Sequence, residues 1–311
     1  MSDIVRKSDD SAAYFVHANV NTADLVRAEA FYTDVLGLSP QIRTAPTDGQ
    51  DGRGFALEGL VRWKGVLLGD HRAPKGAMVD LLEWIEPPTE GEPSSELNCL
   101  GLSSLMIDIA SLQTVRQRLG AAASECRLAR FGEPTGEREA LIAFDLDGTR
   151  IELYQADVVP CFRGVRVNCS ALDRSLQFYT GVLGLRAGPV SEVIVLDDSG
   201  SEIGRFRATR LTVVGQPHGF FIDLTQWEAP APVGPPAGGG NRAGIYRVCL
   251  GVRDIDASHR LIAAAMPASP APTEVAIVDG QPPIRASFYP DPDGAVMELI
   301  QIPETSLRNA G

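Results

Sequence analysis

Apolar and polar positions alternate through "YFVHANVNT" from Tyr14, which predicts a half-buried strand. Directly after it, Leu25, Ala28, Tyr32, Val35 and Leu36 recur at helical spacing until Gly37 ends the helix. The period then returns to two in "GVLLGD" and "AMVDLLEW", two further strands. Beyond a Pro-rich link come another strand, "LSSLMID", a helix carrying Leu112, Val115 and Leu119, and a hairpin that turns at "DLDG". The second half repeats the succession, its first helix built on Leu172, Ser175, Leu176, Tyr179, Val182 and Leu183 with Gly184 as its stop. Each half is therefore expected to hold two βαβββ units, an α+β chain of mixed sheets with helices outside.

Three phrases recur at nearly the same offset. "FYTDVLGL" from Phe31 returns as "FYTGVLGL" from Phe178, "MVDLLEWIEPP" from Met78 as "FIDLTQWEAP" from Phe221, and "FDLDGTRIELYQ" from Phe144 as "YPDPDGAVMELIQ" from Tyr289. A shared offset means that the whole unit is duplicated. Two tandem domains are expected, residues 12–157 and 161–303, joined by "ADVVP". The links "EPPTEGEPSSE" and "EAPAPVGPPAGGGN" are rich in Pro and Gly and read as extended connectors, tethers between units or a lid over a cavity.

Composition narrows the function. With 311 residues and 22% charged side chains the chain can bury two cores. A net charge of −12 without a basic stripe repels a phosphate backbone, so nucleic acid is not an expected partner. No apolar run is long enough for a bilayer, and the polar N-terminus has no apolar core of a signal peptide; a cytoplasmic protein without a membrane partner is expected. Five cysteines without a CxxC pair suggest reduced thiols rather than a disulfide framework or a thiolate zinc site. "GLSSL" is not GxSxG, and no phosphate-binding loop with its flanking strand and helix is present.

A strand leading to a helix that ends "FYTDVLGL", a middle strand of the "VDLLEW" kind and a closing "DLDGTRIELYQ" resemble the vicinal oxygen chelate superfamily, home of glyoxalase I, extradiol dioxygenases and antibiotic-resistance proteins. The resemblance implies cup-shaped sheets, each around a divalent ion held by side chains from four strands. It places His17, Asp80, Leu102 and Glu152 at ligand positions of the first half, and Gly164, Asp223, Arg247 and Glu298 at those of the second. Leu102 removes a ligand from the first set. Gly164 and Arg247 remove two from the second, since a guanidinium does not shed its proton.

Charge accounting favours sites formed within each half. That choice sets Arg247 against Asp223 and Glu298, and leaves His17, Asp80 and Glu152 with net −2 for a divalent ion to neutralise. The swapped choice would place Asp223 and Glu152 together with no cation in view. One imidazole and two carboxylates suit Fe(II), Mn or Mg, while Ni and Zn members of the family keep those ions open. The expected function is thus a metal-dependent glyoxalase- or dioxygenase-type enzyme (lyase, isomerase or dioxygenase) acting on a small molecule with adjacent oxygens, with Glu152 as candidate base. The alternative is a metal-free small-molecule binder of the antibiotic-resistance type. Arg247 and Tyr154 are candidate substrate contacts, and Tyr246 flanks the site similarly. Trp84 and Trp227 read as duplicated core or rim positions, His71, His218 and His259 as surface histidines, and a homodimer is allowed.

Overall fold

The computed structural model describes residues 12–301 apart from 47, 74, 134, 135, 158, 215, 217, 218, 236 and 237. Four units follow one another. The first holds β1 (Ala12–Asn21), α1 (Leu25–Ala30), β2 (Ser39–Thr44), β3 (Gln50–Asp51), β4 (Leu60–Gly69) and β5 (Met78–Glu86). The second holds β6 (Gly101–Ile109), α2 (Leu112–Ala121), β7 (Cys126–Glu133), β8 (Gly136–Phe144) and β9 (Arg150–Gln155). The third holds β10 (Cys161–Asn168), α3 (Leu172–Leu176), β11 (Arg186–Ala187), β12 (Ser191–Leu196), β13 (Glu202–Thr212) and β14 (Phe221–Ala229). The fourth holds β15 (Gly244–Val252), α4 (Ile255–Ala265), β16 (Thr273–Val275), β17 (Ile284–Pro290) and β18 (Val296–Gln301). None of these helices is long and apolar enough to cross a membrane.

The sheets do not follow the halves. β1 pairs with β15, so the first sheet joins unit one to unit four in the order β16-β17-β18-β15-β1-β5-β4-β2. β6 pairs with β10, so the second joins units two and three, β11-β13-β12-β7-β8-β9-β6-β10-β14. The boundary expected between residues 157 and 161 thus falls inside one sheet. Each half is instead tied together through its helices. Both copies of the repeated phrase continue the first helix of their half as a π-helical segment, Phe31–Val35 and Gln177–Val182, and Gly37 and Gly184 end them at φ of 79° and 76°. Within those segments the Tyr32 hydroxyl donates to Asp145 at 3.1 Å and the Tyr179 hydroxyl to Asp291 at 3.0 Å. Asp145 and Asp291 are the first acids of the two hairpin turns, so the repeated phrase is a structural bolt between neighbouring units.

The second sheet closes. β13 also pairs with β14, and β12 pairs with β7 through Ile194–Leu196, which makes an eight-stranded ring. The first stays open, and the Gln50 side-chain amide bridges the gap, donating to Ala276 O at 2.8 Å and accepting from Ala276 N at 2.7 Å. Its concave face is filled by Phe55, whose ring lies 5.4 Å from those of Trp63 and Trp84 and 4.9 Å from that of Phe288. The convex faces of both sheets share one core with the helices.

The Pro-rich links cross from one sheet to the other and are pinned by a repeated device. Asn168 Nδ2 donates to the carbonyls of Leu97 and Cys99, both at 2.8 Å, while its Oδ1 accepts from Trp227 Nε1 at 3.2 Å. Asn21 does the same for Gly240 and Arg242, accepting from Trp84 Nε1 at 3.0 Å. The duplicated tryptophans are therefore core anchors for link-holding asparagines. Asn168→Ala strands three buried polar groups and is expected to lower unfolding stability by about 3 kcal/mol; an unchanged denaturant midpoint would refute this role.

Candidate functional site

In the closed barrel, β10 alternates so that Gly164, Arg166 and Asn168 share the concave face. Arg166 reaches across it: Nε lies 2.8 Å from Glu152 Oε1, Nη2 2.9 Å from Glu152 Oε2, and Nη1 2.7 Å from Asp223 Oδ2 and 3.0 Å from Thr225 Oγ1. Glu152 accepts two more bonds, from the Ser104 hydroxyl and the Tyr154 hydroxyl, both at 2.6 Å. Burial alone would raise the Glu152 pKa, but Arg166, Ser104 and Tyr154 together hold it down at about 2. The same carboxylates push Arg166 well above its ordinary value against the effect of burial. Glu152 is an anion with both oxygens engaged.

The open sheet contains a second arrangement of the same chemistry from different strands. Arg247, on β15, places Nε 2.8 Å from Glu298 Oε2, Nη2 3.3 Å from Asp80 Oδ2 and Nη1 3.1 Å from Asn19 Oδ1. His17 Nε2 stands 3.1 Å from Glu298 Oε2 and 3.7 Å from Asp80 Oδ2. Burial is offset at Glu298 by Arg247 and His17, which bring it to about 2, whereas at Asp80 burial prevails and the carboxyl is raised.

The grouping expected within each half is corrected by these contacts. His17 and Asp80 do meet, but their third partner is Glu298; Glu152 lies in the other sheet beside Asp223. The swapped arrangement looked uncompensated only because its cation, Arg166, sits two residues beyond Gly164, on the same strand face but outside the ligand positions. Leu102 is likewise not the counterpart of Arg247: counted from Gly101 and Gly244, which open β6 and β15, that place belongs to Ser104. Period-two alternation from Gly164 carries the first signal in the sequence, and the match of Ser104 to Arg247, each three residues past its opening glycine, carries the second. Tyr154 is in the barrel, buried and bonded to Glu152, and Tyr246 donates to the Phe55 carbonyl at 3.2 Å. His71 and His259 contact the Pro160 carbonyl and the Tyr289 hydroxyl, and His218 lies outside the described residues.

A divalent ion fits neither arrangement. In the barrel the guanidinium of Arg166 takes the central position between both carboxylates. In the open sheet the ligand atoms of His17, Cys249 and Glu298 lie within 4.8 Å of one another, and Asp80 Oδ2 is 3.7 Å from His17 Nε2. Arg247, however, bonds the same two carboxylate oxygens, so a dication there would face a guanidinium at contact range. The Cys249 thiol is pushed well above its usual value by burial and by Glu298, which opposes the thiolate that a metal requires.

Beside Arg166 the barrel keeps a cavity of about 250 Å³. Phe131, Phe206 and Tyr154 supply aromatic walls, and Arg138, Arg166 and Arg210 line it against one carboxylate, Asp223, among the described residues. Arg138 lies 4.4 Å over the Tyr154 ring and Arg210 4.7 Å over that of Phe221.

No family model and no curated protein matches the chain in sequence. Solved structures do. Glyoxalase I from Zea mays aligns over 96% of this chain and 95% of its own with a TM-score of 0.69 at 17% identity. A Bacillus subtilis structure with a provisional dioxygenase assignment aligns over 94% and 86%, with a TM-score of 0.60 at 15% identity. The chain thus has the vicinal oxygen chelate fold in its tandem, two-sheet form.

Two carboxylates held at about 2 contribute stability that is complete above their unfolded value near 4.5 and is lost as pH falls toward 2. Arg166→Met reverses the sign for Glu152, whose pKa then rises through burial. The variant is expected to lose about 3–5 kcal/mol at neutral pH and to recover part of it as pH falls to 5. Denaturant unfolding at several pH values checks this, and a loss that is the same at every pH sinks it.

Proposed function

We propose that this chain is a metal-free small-molecule binding protein, with its ligand in the closed barrel. The supporting observation is the duplicated replacement. In both sheets a buried arginine bridges the carboxylates that the fold would otherwise offer to an ion, and each arginine comes from a different strand. A glyoxalase- or dioxygenase-type reaction through a chelated ion has no free carboxylate pair to start from. A binder needs only a shaped cavity, and the barrel provides one where aromatic packing fills the open sheet.

The ligand class follows from the walls. Arg166 is already matched by Glu152 and Asp223, so it is Arg210 at the mouth that favours an anion, and the three aromatic rings favour a flat apolar body. A small aromatic carboxylic acid meets both requirements. Tyr154 forms part of the wall and keeps Glu152 in place; Arg210, exposed at the mouth, is positioned to meet the carboxylate.

Benzoate is expected to raise the melting temperature and to quench Trp227, the one tryptophan in the barrel core among the described residues. Arg210→Ala should weaken its binding about tenfold, the loss of one charged hydrogen bond. Treatment with a chelator, or addition of Fe(II), Mn, Ni or Zn, should leave the melting temperature unchanged. A metal-induced rise that disappears in His17→Ala would reject the proposal.

A further inference from the structure

A further crevice lies elsewhere, where the two sheets and both Pro-rich links meet. It measures about 430 Å³ and is touched by Arg53, Arg150 and Arg242, by the hydroxyl-bearing Ser94 and Ser103, and by Tyr246. No acidic side chain lines it among the described residues. Arg53 is paired with Asp51, which leaves Arg150 and Arg242 as two guanidiniums without an acid, a local inversion of the field on a chain of net charge −12.

Arg150 is its most unusual member. It is 3% exposed, yet it forms no ion pair with any described residue. Nη2 donates to the Ser103 hydroxyl and, at 3.5 Å, to the Leu97 carbonyl, while Nε and Nη1 have no partner among the described residues. The nearest acid in sequence, Glu152, is already bonded to Arg166. A buried guanidinium without a counter-charge is costly, and burial draws its pKa down to about 10. The fold does not require it: "RIELYQ" and "VMELIQ" are equivalent strands, and the residue matching Arg150 is Val296, which lines the same crevice. Arg242, on one of the links, is the second cation with no acid beside it. It donates to the Glu92 carbonyl, and burial lowers its pKa. The link residues that read from sequence as tether or lid are thus walls of this crevice.

We infer that the crevice between the two sheets is an anion-binding site, distinct from the barrel, in which Arg150 and Arg242 receive the phosphate or carboxylate head of a small molecule. The missing counter-charge is supplied by the ligand, and Ser94 and Ser103 offer hydroxyls to its remaining oxygens.

The test uses the full chain with inorganic phosphate or citrate titrated against chloride at constant ionic strength. Either anion should raise the melting temperature by on the order of 5 °C near saturation; the stronger of the two identifies the head-group. Arg150→Met should abolish the response and melt higher than the parent in chloride alone, because the unpaired charge is gone. Arg242→Gln should weaken the response severalfold and serves if Arg150→Met does not fold. Arg210→Ala should retain it, and Arg150→Met should retain benzoate binding, which separates this site from the barrel. An equal response in both crevice variants, or none in the parent, as when one internal water satisfies Arg150, would overturn the inference.

Discussion

A guanidinium held between two buried carboxylates is the constraint on which each sheet is organised. Two acids on facing strands of a concave surface repel one another and resist burial, so one cation must stand between them. Arg166 and Arg247 meet that demand with bidentate or split hydrogen bonds that fix the strands carrying Glu152, Asp223, Asp80 and Glu298. A planar fork with five donors can do this in a fixed geometry; a lysine ammonium could not reach as many oxygens. Each sheet therefore holds an acidic centre that is neutralised from within.

The two solutions are not copies. Arg247 lies on β15, whereas Arg166 lies on β10, the counterpart of β1, where the first sheet has Asn19. Because the strand of origin differs, duplication of one substituted unit does not account for the pair. The space left over differs as well. Closure through β12 and β7 turns the second sheet into a ring with room inside, while Phe55 and its neighbours plug the open sheet. The same four-unit plan thus yields one packed cup and one hollow barrel, and between them a crevice whose charge runs against that of the whole chain.

Much of this architecture was legible in the residue pattern. The alternating strands, the helices stopped by Gly37 and Gly184 and the duplicated phrases are local signals, because backbone period and turn chemistry act over a few residues. The identity of His17, Asp80, Glu152, Arg247 and Tyr154 as inward-facing polar residues was legible for the same reason. Arg166 was equally legible by alternation from Gly164, and Ser104 by its match to Arg247 in the repeat, although both lie outside the ligand positions of the family pattern.

What the chain order could not convey was which units share a sheet. Strand pairing between β1 and β15 or β6 and β10 depends on contacts between residues far apart in sequence, and charge accounting among the visible acids favoured the other partition. Tertiary structure decided it because hydrogen-bonded edges and a shared apolar core pair the units, and the buried charges then find their partners within that frame. Sequence alone determined the units, the helix stops and the inward polar residues; long-range pairing determined that those residues form one arginine-centred cluster in each sheet.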